Sequence, residues 1–302
     1  MFPTLYVQQT PFGELPYNTW GLMITLAFLA ASVYSHSRAK RVGIDPDKMV
    51  GMYITAIIFG LAGARLMHFT MATPDVFFAD PMIFFKIWTG GFAFYGGFIL
   101  AAVAGITYAI IRGIDPWKLS DVTGPSVMLG LAMGRIGCFS AGCCHGREIQ
   151  LPADAVALFP STYGGGQLWF FPHVPFLAEM TRHGVGHNNV VVYPTQLFEV
   201  AAAFTIFLLG RWLFEHRKFD GMVISFVCIA YALWRPFNES LRGDEVRGMG
   251  YFGFLTSSQL ISIPVFAIGI LIFLIKFRSG VKKETPFVLT EAEEMEGSVP
   301  RL

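Results

Sequence analysis

The chain has 302 residues, of which 54% are hydrophobic and 14% are charged, and its formal net charge is +1. Soluble domains carry about 25% charged residues, so this composition excludes an ordinary soluble fold. A net charge so close to neutral gives no electrostatic reason to expect a nucleic-acid partner. The apolar residues are gathered in long runs, which predicts an all-α polytopic membrane protein.

Seven apolar segments approach the length of about 20 residues that a helix needs to cross a bilayer. Helices are predicted for all of them because backbone polar groups in hydrocarbon must be paired within the segment. In chain order the predicted spans are Asn18–Tyr34, Val50–Met71, Phe92–Ile111, Val122–Phe139, Thr195–Phe214, Met222–Leu241 and Ser257–Phe277.

Lysine and arginine residues are divided unevenly between the two sets of connections that these spans define. Fourteen lie in the first, third and fifth connections and the C-terminal tail, against five on the other side. The positive-inside rule therefore predicts an external N-terminus and a cytoplasmic C-terminus. Residues 1–281 are expected to form a membrane domain that includes a small packed extracytoplasmic cap at 140–193. The polar, acidic residues 282–302 are expected to form a disordered cytoplasmic tail.

Several ionisable residues fall within the predicted spans, where a charge is costly and usually functional. Four polar residues of the sixth span are four, four and three positions apart, which places them on one helix face. Arginines at one membrane surface suit a phosphate group, which guanidinium binds through a bidentate fork. The alternative is structural ion pairs, namely Arg235–Glu239 and Arg65–Glu199, and both roles can coexist. The ionisable residues are Arg65, His68, Arg135, Glu199, Arg235 and Glu239, and the face is Tyr231, Arg235, Glu239 and Arg242.

Glycines mark the same part of the sequence. Two glycine pairs flank the start of the third span, and three glycines recur at helical spacing in the fourth. Small residues at this spacing favour close helix packing, whereas a glycine beside an arginine would let a lipid headgroup approach backbone amides. The glycines are Gly90, Gly91, Gly96, Gly97, Gly130, Gly134 and Gly137.

Three cysteines and a histidine are close together at the end of the fourth span, namely Cys138, Cys143, Cys144 and His145. Several interpretations stay open: a metal site, a disulfide such as Cys138–Cys143 in an oxidising compartment, a thiol activated by His145, or simple packing. Cys228, inside the sixth span, is interpreted as a packing residue.

Motifs along nearly the whole chain, from about Trp20 to Lys276, resemble the bacterial prolipoprotein diacylglyceryl transferases. Gly134-Arg135-Ile136-Gly137-Cys138-Phe139 with Gly142 and Gly146-Arg147 resembles the family's signature. Tyr193-Pro194-Thr195-Gln196-Leu197-Phe198-Glu199 and the helix from Tyr231 through Arg235, Glu239 and Arg242 resemble two further motifs. Shorter matches are Trp20-Gly21-Leu22-Met23, Gly63-Ala64-Arg65, Ala79-Asp80-Pro81 with Trp88 and Gly90-Gly91, and Ser258-Gln259-Leu260-Ile261-Ser262-Ile263-Pro264.

The resemblance implies a multi-pass protein of the bacterial plasma (inner) membrane, with about seven transmembrane helices and an extracytoplasmic cap. It implies attack by the lipobox cysteine of a prolipoprotein, presented with its signal peptide, on phosphatidylglycerol, with release of glycerol-1-phosphate. Membrane lipid and prolipoprotein are the implied partners, and no metal or organic cofactor is implied. The implied catalytic residues are Arg135, Arg235, Tyr95, Tyr231 and Glu199. The implied substrate-binding residues are Arg135, Arg235, Gly96, Gly97, Gly134, Gly137, Cys138, Gly146, Glu239, Arg242 and Trp20.

The chain departs from the family pattern at five of these motif positions. Tyr95 and Tyr193 stand where the family has histidine, Cys138 where it has asparagine, Cys143 where it has glutamate and Trp20 where it has tyrosine. The phosphate-binding arginines are kept, but the favoured proton acceptor is replaced by a phenol. Two alternatives to the transferase are therefore considered. They are a paralogue that keeps the lipid site for different transfer chemistry, and a non-catalytic phospholipid- or lipoprotein-binding membrane protein.

Overall fold

A computed structural model describes residues 4–10, 13–86, 90–147, 167–169, 177–181, 189–242 and 256–278. Within these residues eight α-helices make up most of the structure. They are α1 (Thr19–Ala39), α2 (Pro46–Met71), α3 (Pro74–Ala79), α4 (Phe94–Ile111), α5 (Pro116–Ala141), α6 (Thr195–His216), α7 (Met222–Ser240) and α8 (Ser257–Arg278). Short 3-10 helices cover Lys40–Val42 and Pro81–Phe85.

All seven predicted spans lie on helices, and the fold is that of an all-α polytopic membrane protein. Five helices are long and apolar enough to cross a bilayer, namely α2, α4, α5, α6 and the Ser258–Arg278 part of α8. Helices α1 and α7 also have the length of a span. Polar side chains such as His36 in α1 and Glu239 in α7 lower their mean hydropathy, so the count of seven spans stays a prediction.

Apolar side chains on the long helices are turned outward. Phe94, Ile110 and Ile111 of α4 are 65–75% exposed, and Leu233 and Phe237 of α7 are exposed in the same way. Such contiguous apolar surface is rare on soluble monomers, and lipid tails are the solvent that it suits. The distribution supports insertion in a membrane independently of the sequence.

The described strands are short and lie outside these helices. β1 (Thr4–Thr10) pairs with β2 (Gly13–Asn18) as an antiparallel hairpin. β3 (Gln167–Trp169), β4 (Leu177–Thr181) and β5 (Asn189–Val192) form an antiparallel sheet in that order. This sheet is the described part of the predicted cap at 140–193; most of the cap, and the predicted tail at 282–302, lie outside the described residues.

The chain divides into two compact units, one of residues 1–34 with 123–282 and the other of residues 35–122 with 283–302. In the second unit, α2 and α4 touch through their backbones. A Cβ built on Gly63 would lie 2.6 Å from Cβ of Leu100 and would overlap the carbonyl oxygen of Gly96. A Cβ on Gly97 would lie 2.8 Å from the carbonyl oxygen of Gly60. Small residues therefore allow this close approach, as the packing interpretation of the sequence predicted.

Replacing Gly63 with alanine is expected to destabilise the second unit by about 1–3 kcal/mol, the usual cost of overfilling a packed contact. The matched control is Gly105→Ala in α4, where a Cβ meets nothing within 4 Å. Both changes gain the helix propensity of alanine, so the difference between the stabilities of the two variants reports the steric clash at residue 63. Thermal unfolding in detergent measures it, and equal midpoints for the two variants would contradict the packing described.

In the first unit, α5, α6, α7 and α8 are joined by similar small-residue contacts. A Cβ on Gly210 of α6 would lie 3.2 Å from Cγ of Pro125 in α5. A Cβ on Gly269 of α8 would lie 3.0 Å from Cβ of Cys228 in α7, so Cys228 is a packing residue as predicted. The buried cluster of the unit is Met128, Ile206, Phe207 and Val227.

Candidate active site

A buried network of charges joins α6 to α7 in the first unit. Glu199 is completely buried and Arg235 is 6% exposed. The Arg235 guanidinium donates through Nη1 to Oε2 of Glu199 at 3.2 Å and through Nη2 to Oε2 of Glu239 at 2.8 Å. The same Nη2 donates to the Ser258 hydroxyl of α8 at 3.1 Å. Arg235 therefore lies between two buried carboxylates and ties three helices together.

Two further donors satisfy Glu199. The Tyr231 hydroxyl donates to Oε1 at 2.7 Å. The amide of Asn238 donates to Oε2 and, at 3.3 Å, to the backbone carbonyl of Thr195 at the start of α6. A carboxylate that accepts three hydrogen bonds and is closed to solvent is fixed in orientation. Glu199 thus positions Tyr231 and Arg235.

The polar face predicted for the sixth span is present on α7. Tyr231, Arg235 and Glu239 are joined through the network, and Arg242 follows immediately after the helix. Asn238 belongs to the same cluster but was not among the predicted site residues. Its signal was a polar amide within an otherwise apolar segment. The partner helix α6 could not be identified from spacing, because Glu199 is 36 residues from Arg235.

Arg135, near the end of α5, differs from Arg235 in having a half-buried side chain. Its charge acts on the Tyr231 hydroxyl and on the thiols of Cys138 and Cys144, which places it at the same end of the unit. Within the part of the chain that the structure describes, no carboxylate forms an ion pair with Arg135. Arg135 is therefore the cation of this cluster whose charge is not already matched by a described carboxylate.

Backbone hydrogen bonds join the chain after α5, before α6 and after α7. The amide of Gly146 donates to the carbonyl of Tyr193 at 2.8 Å, and that of Arg147 to the carbonyl of Leu241 at 2.9 Å. A Cβ on Gly146 would lie 2.7 Å from Cβ of Tyr193 and 2.8 Å from the carbonyl oxygen of Leu241. This junction of Gly146, Arg147, Tyr193 and Leu241 fixes the ends of the three helices that carry the charged residues, and it explains a glycine at 146.

The predicted substrate-binding glycines of α5 face α1. A Cβ on Gly134 would lie 3.3 Å from Cδ1 of Ile24, and one on Gly137 would lie 2.8 Å from Cβ of Met23 and 3.5 Å from Cα of Trp20. The Trp20 side chain itself is 42% exposed. These contacts are helix packing; contact of Gly134, Gly137 or Trp20 with substrate stays a prediction.

The three cysteines near the end of α5 lie together, and none of the three forms a disulfide. Their sulfur atoms are all within 4.8 Å of one another. Hydrogen bonds from the Cys138 and Cys143 thiols lower the pKa of the Cys144 thiol, and the charges of Arg242 and Arg135 lower it further. His145 is outside this sulfur cluster, and its Nδ1 lies 2.9 Å from the carbonyl oxygen of Gly146.

Three predicted site residues belong to the second unit. Tyr95 is half-buried in the first turn of α4, with its ring centroid 5.8 Å from that of Phe94. Gly96 and Gly97 follow it and pack on α2. The α4 start is held by a hydrogen bond from the amide of Ala93 to the carbonyl of Ala64 at 3.0 Å. The backbone of α2 thus sets the position of Tyr95.

Arg65 of α2, one of the ionisable residues found in the sequence, is caged by backbone carbonyls. It is 1% exposed. Its Nε donates to the carbonyl of Phe84 at 3.2 Å, and its Nη2 donates to that of Lys86 at 3.0 Å. The guanidinium also lies 4.6 Å from the ring centroid of Phe69. The remaining acceptors are the carbonyls of Ile83, Gly90 and Gly91. Arg65 therefore fastens the connection before α4 onto α2.

Comparison with known proteins gives a consistent match over almost the whole chain. The family model described as prolipoprotein diacylglyceryl transferase matches residues 9–275. A phosphatidylglycerol–prolipoprotein diacylglyceryl transferase of Clostridium tetani is 31% identical over 262 residues, 87% of this chain and 94% of the relative. A second such protein, from Clostridium perfringens, is 30% identical over 91% of this chain and 96% of its own length. One from Ralstonia pickettii is 27% identical over 88% and 91%. By its sequence, and with the buried charge cluster described above, the chain belongs to the prolipoprotein diacylglyceryl transferase family.

Proposed function

We propose that this protein transfers the diacylglyceryl group of phosphatidylglycerol to the cysteine thiol of a prolipoprotein. The names of its relatives state both substrates, phosphatidylglycerol and prolipoprotein. The outward apolar faces of its helices suit an enzyme that draws one substrate from the bilayer. The lipobox cysteine is the acceptor, and the signal peptide that precedes it places that cysteine at the membrane surface.

The reaction is a substitution at the carbon of the diacylglycerol unit that is bonded to the phosphate oxygen. A carbon–sulfur bond forms between the lipobox thiol and this carbon, and the carbon–oxygen bond to phosphate breaks. Glycerol-1-phosphate leaves with the bonding electron pair, and the thiol proton is released to a base. No electrons are exchanged with a cofactor. The enzyme has to hold the two substrates in line and stabilise the negative charge that grows on the phosphate.

The observation that carries this proposal is the different setting of the two arginines. Arg235 is enclosed by Glu199 and Glu239, so its charge is already compensated. Arg135 is half-buried at the same end and has no described carboxylate beside it. We assign the phosphate to Arg135, through the bidentate geometry that guanidinium offers. Arg235, held by its carboxylates, lies beside this site.

The remaining site residues divide by position. Glu199 and Glu239 orient Arg235, and Tyr231 donates to Glu199, so these three position the cations. Arg242 and Gly146 lie where the ends of α5 and α7 meet and contribute to the headgroup site. For Tyr95, Gly96 and Gly97 of α4, a part in the transfer is proposed from the resemblance of the sequence to the family. Gly134, Gly137, Cys138 and Trp20 border the lipid.

The charge asymmetry of the connections supports an orientation. We assign the N-terminus and the cap at 140–193 to the outer side of the bacterial inner membrane, and the C-terminal tail to the cytoplasm. The junction of Gly146, Arg147, Tyr193 and Leu241 then lies at the outer surface. That is the side on which an exported prolipoprotein presents its cysteine.

Replacing Arg135 with alanine is expected to lower transfer about 10²–10³-fold, the effect of losing one preorganised charge-stabilising donor. Purified protein, labelled phosphatidylglycerol and a lipobox peptide with one cysteine are incubated, and the thioether product is measured by mass spectrometry. The matched control is Arg211→Ala, which removes an exposed arginine from α6. Transfer by Arg135→Ala at the control rate would refute the assignment of the phosphate to Arg135. Folded wild-type protein that binds the lipid but forms no product would refute the transferase itself and favour a lipid-binding role.

A further inference from the structure

The thiols of the three-cysteine cluster at the end of α5 take no part in the bond making and breaking described above, in which Cys138 only borders the lipid. The cysteines form no disulfide and are half-buried, and all three sulfur atoms lie within 4.8 Å of one another. Cys138 and Cys143 stand where the family pattern has asparagine and glutamate.

The backbone is shaped so that neighbouring thiols can meet. Adjacent side chains of an extended chain point in opposite directions. Cys144 has φ = 63°, and among the described residues no other non-glycine residue has a positive φ. The left-handed backbone conformation costs a non-glycine residue about 1–2 kcal/mol. Here it interrupts the alternation of side-chain direction, so the side chains of Cys143 and Cys144 can lie on the same side. The amide of Cys143 also donates to the carbonyl of Cys138 at 3.1 Å, which brings the third cysteine to the same place.

Buried side chains of α6 hold this strained turn in position. Nε2 of Gln196 donates to the carbonyl of Cys143 at 2.7 Å, and the hydroxyl of Thr195 donates to the carbonyl of Cys144 at 3.1 Å. Both donors are 1% exposed. These hydrogen bonds use the backbone carbonyls of the two cysteines and not their sulfur atoms. A preorganised set of side chains on a supported backbone is what a binding site requires.

The separation of the sulfurs fits one ion better than one disulfide. Zinc–sulfur bonds of about 2.3 Å place tetrahedral sulfurs about 3.8 Å apart, and here every pair of sulfurs already lies within 4.8 Å. A disulfide needs about 2.05 Å and would use two of the three sulfurs. Thiolates select soft or borderline ions such as Zn²⁺ and Cu⁺. The nearby charges of Arg135 and Arg242 offset the excess negative charge that three thiolates carry around such an ion.

We propose that Cys138, Cys143 and Cys144 together bind one thiophilic metal ion, Zn²⁺ or Cu⁺, through their three sulfur atoms. Each thiol loses its proton to solvent as its sulfur–metal bond forms, and no oxidation or reduction takes place. Zn²⁺ would keep a fourth position open, whereas Cu⁺ would be satisfied by the three sulfurs. The site goes beyond the transfer function and does not depend on it.

The test is metal titration of the full-length protein in detergent, after reduction and anaerobic removal of the reductant. Zn²⁺ is titrated in competition with a colorimetric zinc chelator, and Cu⁺ in competition with a Cu⁺ chelator. Co²⁺ serves as a spectroscopic probe, because sulfur-to-cobalt charge-transfer absorption reports thiolate ligands. One equivalent of Zn²⁺ or of Cu⁺ is expected to be retained, and the arm that retains metal identifies the ion.

Single serine replacements of Cys138, Cys143 and Cys144 are each expected to weaken binding at least about 100-fold, since even outer-shell changes cost about 10–100-fold. Cys228→Ser is the matched control, because that cysteine packs against Gly269 and lies in α7. Serine at 143 or 144 keeps the backbone carbonyls to which Gln196 and Thr195 donate, so these variants should fold. The proposal would be overturned if the three serine variants retained metal as tightly as wild type, or if wild type bound neither ion. It would also be overturned if a disulfide formed in preference to metal binding.

Discussion

Replacement of Arg235 by alanine is expected to abolish diacylglyceryl transfer and to destabilise the protein by about 3–5 kcal/mol, the cost of breaking a buried ion pair from one side. The change leaves Glu199, which has no exposed surface, and Glu239, which is 8% exposed, without the cation between them. It also removes the hydrogen bond to Ser258 that attaches α8. Thermal unfolding in detergent measures the first effect, and the transfer assay measures the second.

Arg278→Ala is the matched control for this variant, because it removes an exposed arginine at the end of α8. Glu239→Gln provides a second comparison. It keeps a hydrogen-bond acceptor for Arg235 while removing one charge, so it should lower the unfolding midpoint less than Arg235→Ala does. An Arg235→Ala protein as stable as the Arg278→Ala control would show that the network does not support the fold as described.

Replacement of Arg65 by lysine is expected to destabilise the second unit by about 3 kcal/mol or more, since each buried acceptor left without a donor costs about 1–3 kcal/mol. The flat guanidinium reaches carbonyls on several sides at once, including those of Phe84 and Lys86. Lysine has one nitrogen on a flexible stem and cannot reproduce that fork. The positive charge is kept, so the variant separates geometry from charge.

Hydrogen exchange measured by mass spectrometry should show faster exchange of residues 81–86 and 90–93 in Arg65→Lys, because Arg65 donates to backbone carbonyls in both stretches. Arg112→Lys, at an exposed arginine of the same unit, is the control and should leave the pattern unchanged. Transfer should also fall, since the segment leads into α4 and sets the position of Tyr95. Unchanged exchange in Arg65→Lys would refute the clamping role.

Hydropathy located the helices well because each is dominated by its apolar run. Predicted Val50–Met71 corresponds to α2, and predicted Val122–Phe139 lies inside the longer α5. The early turns of α5 contain Trp117, Lys118 and Asp121, so an apolar window could not include them. The six-residue α3 is too short to leave a periodic signal. Helix boundaries depend on caps such as Asp45, which accepts from the amide of Asp47 at 2.9 Å.

The candidate site was partly predictable for a physical reason. Tyr231, Arg235 and Glu239 share one helix face, and spacing alone reveals that. Their partner Glu199 lies on another helix, where only tertiary packing brings it within reach. The partners of Arg65 were even harder to predict, because they are backbone carbonyls. Every residue has a backbone carbonyl, so the residue types in a sequence do not reveal such partners. Spacing within a helix is visible in a sequence, but contacts between helices and with the backbone are not.

The backbone junction at the ends of α5, α6 and α7 has a consequence for how the chain can vary in length. The amide of Tyr193 donates to the carbonyl of Arg147 at 3.4 Å, so the segment between these two residues starts and finishes at paired backbone. Closing a longer loop costs little, only about 0.6 kcal/mol for each doubling of its length. Residues can therefore be inserted or removed between Arg147 and Tyr193 without shifting Arg135, Glu199 or Arg235. The length and sequence of this segment can change while the charged cluster keeps its geometry.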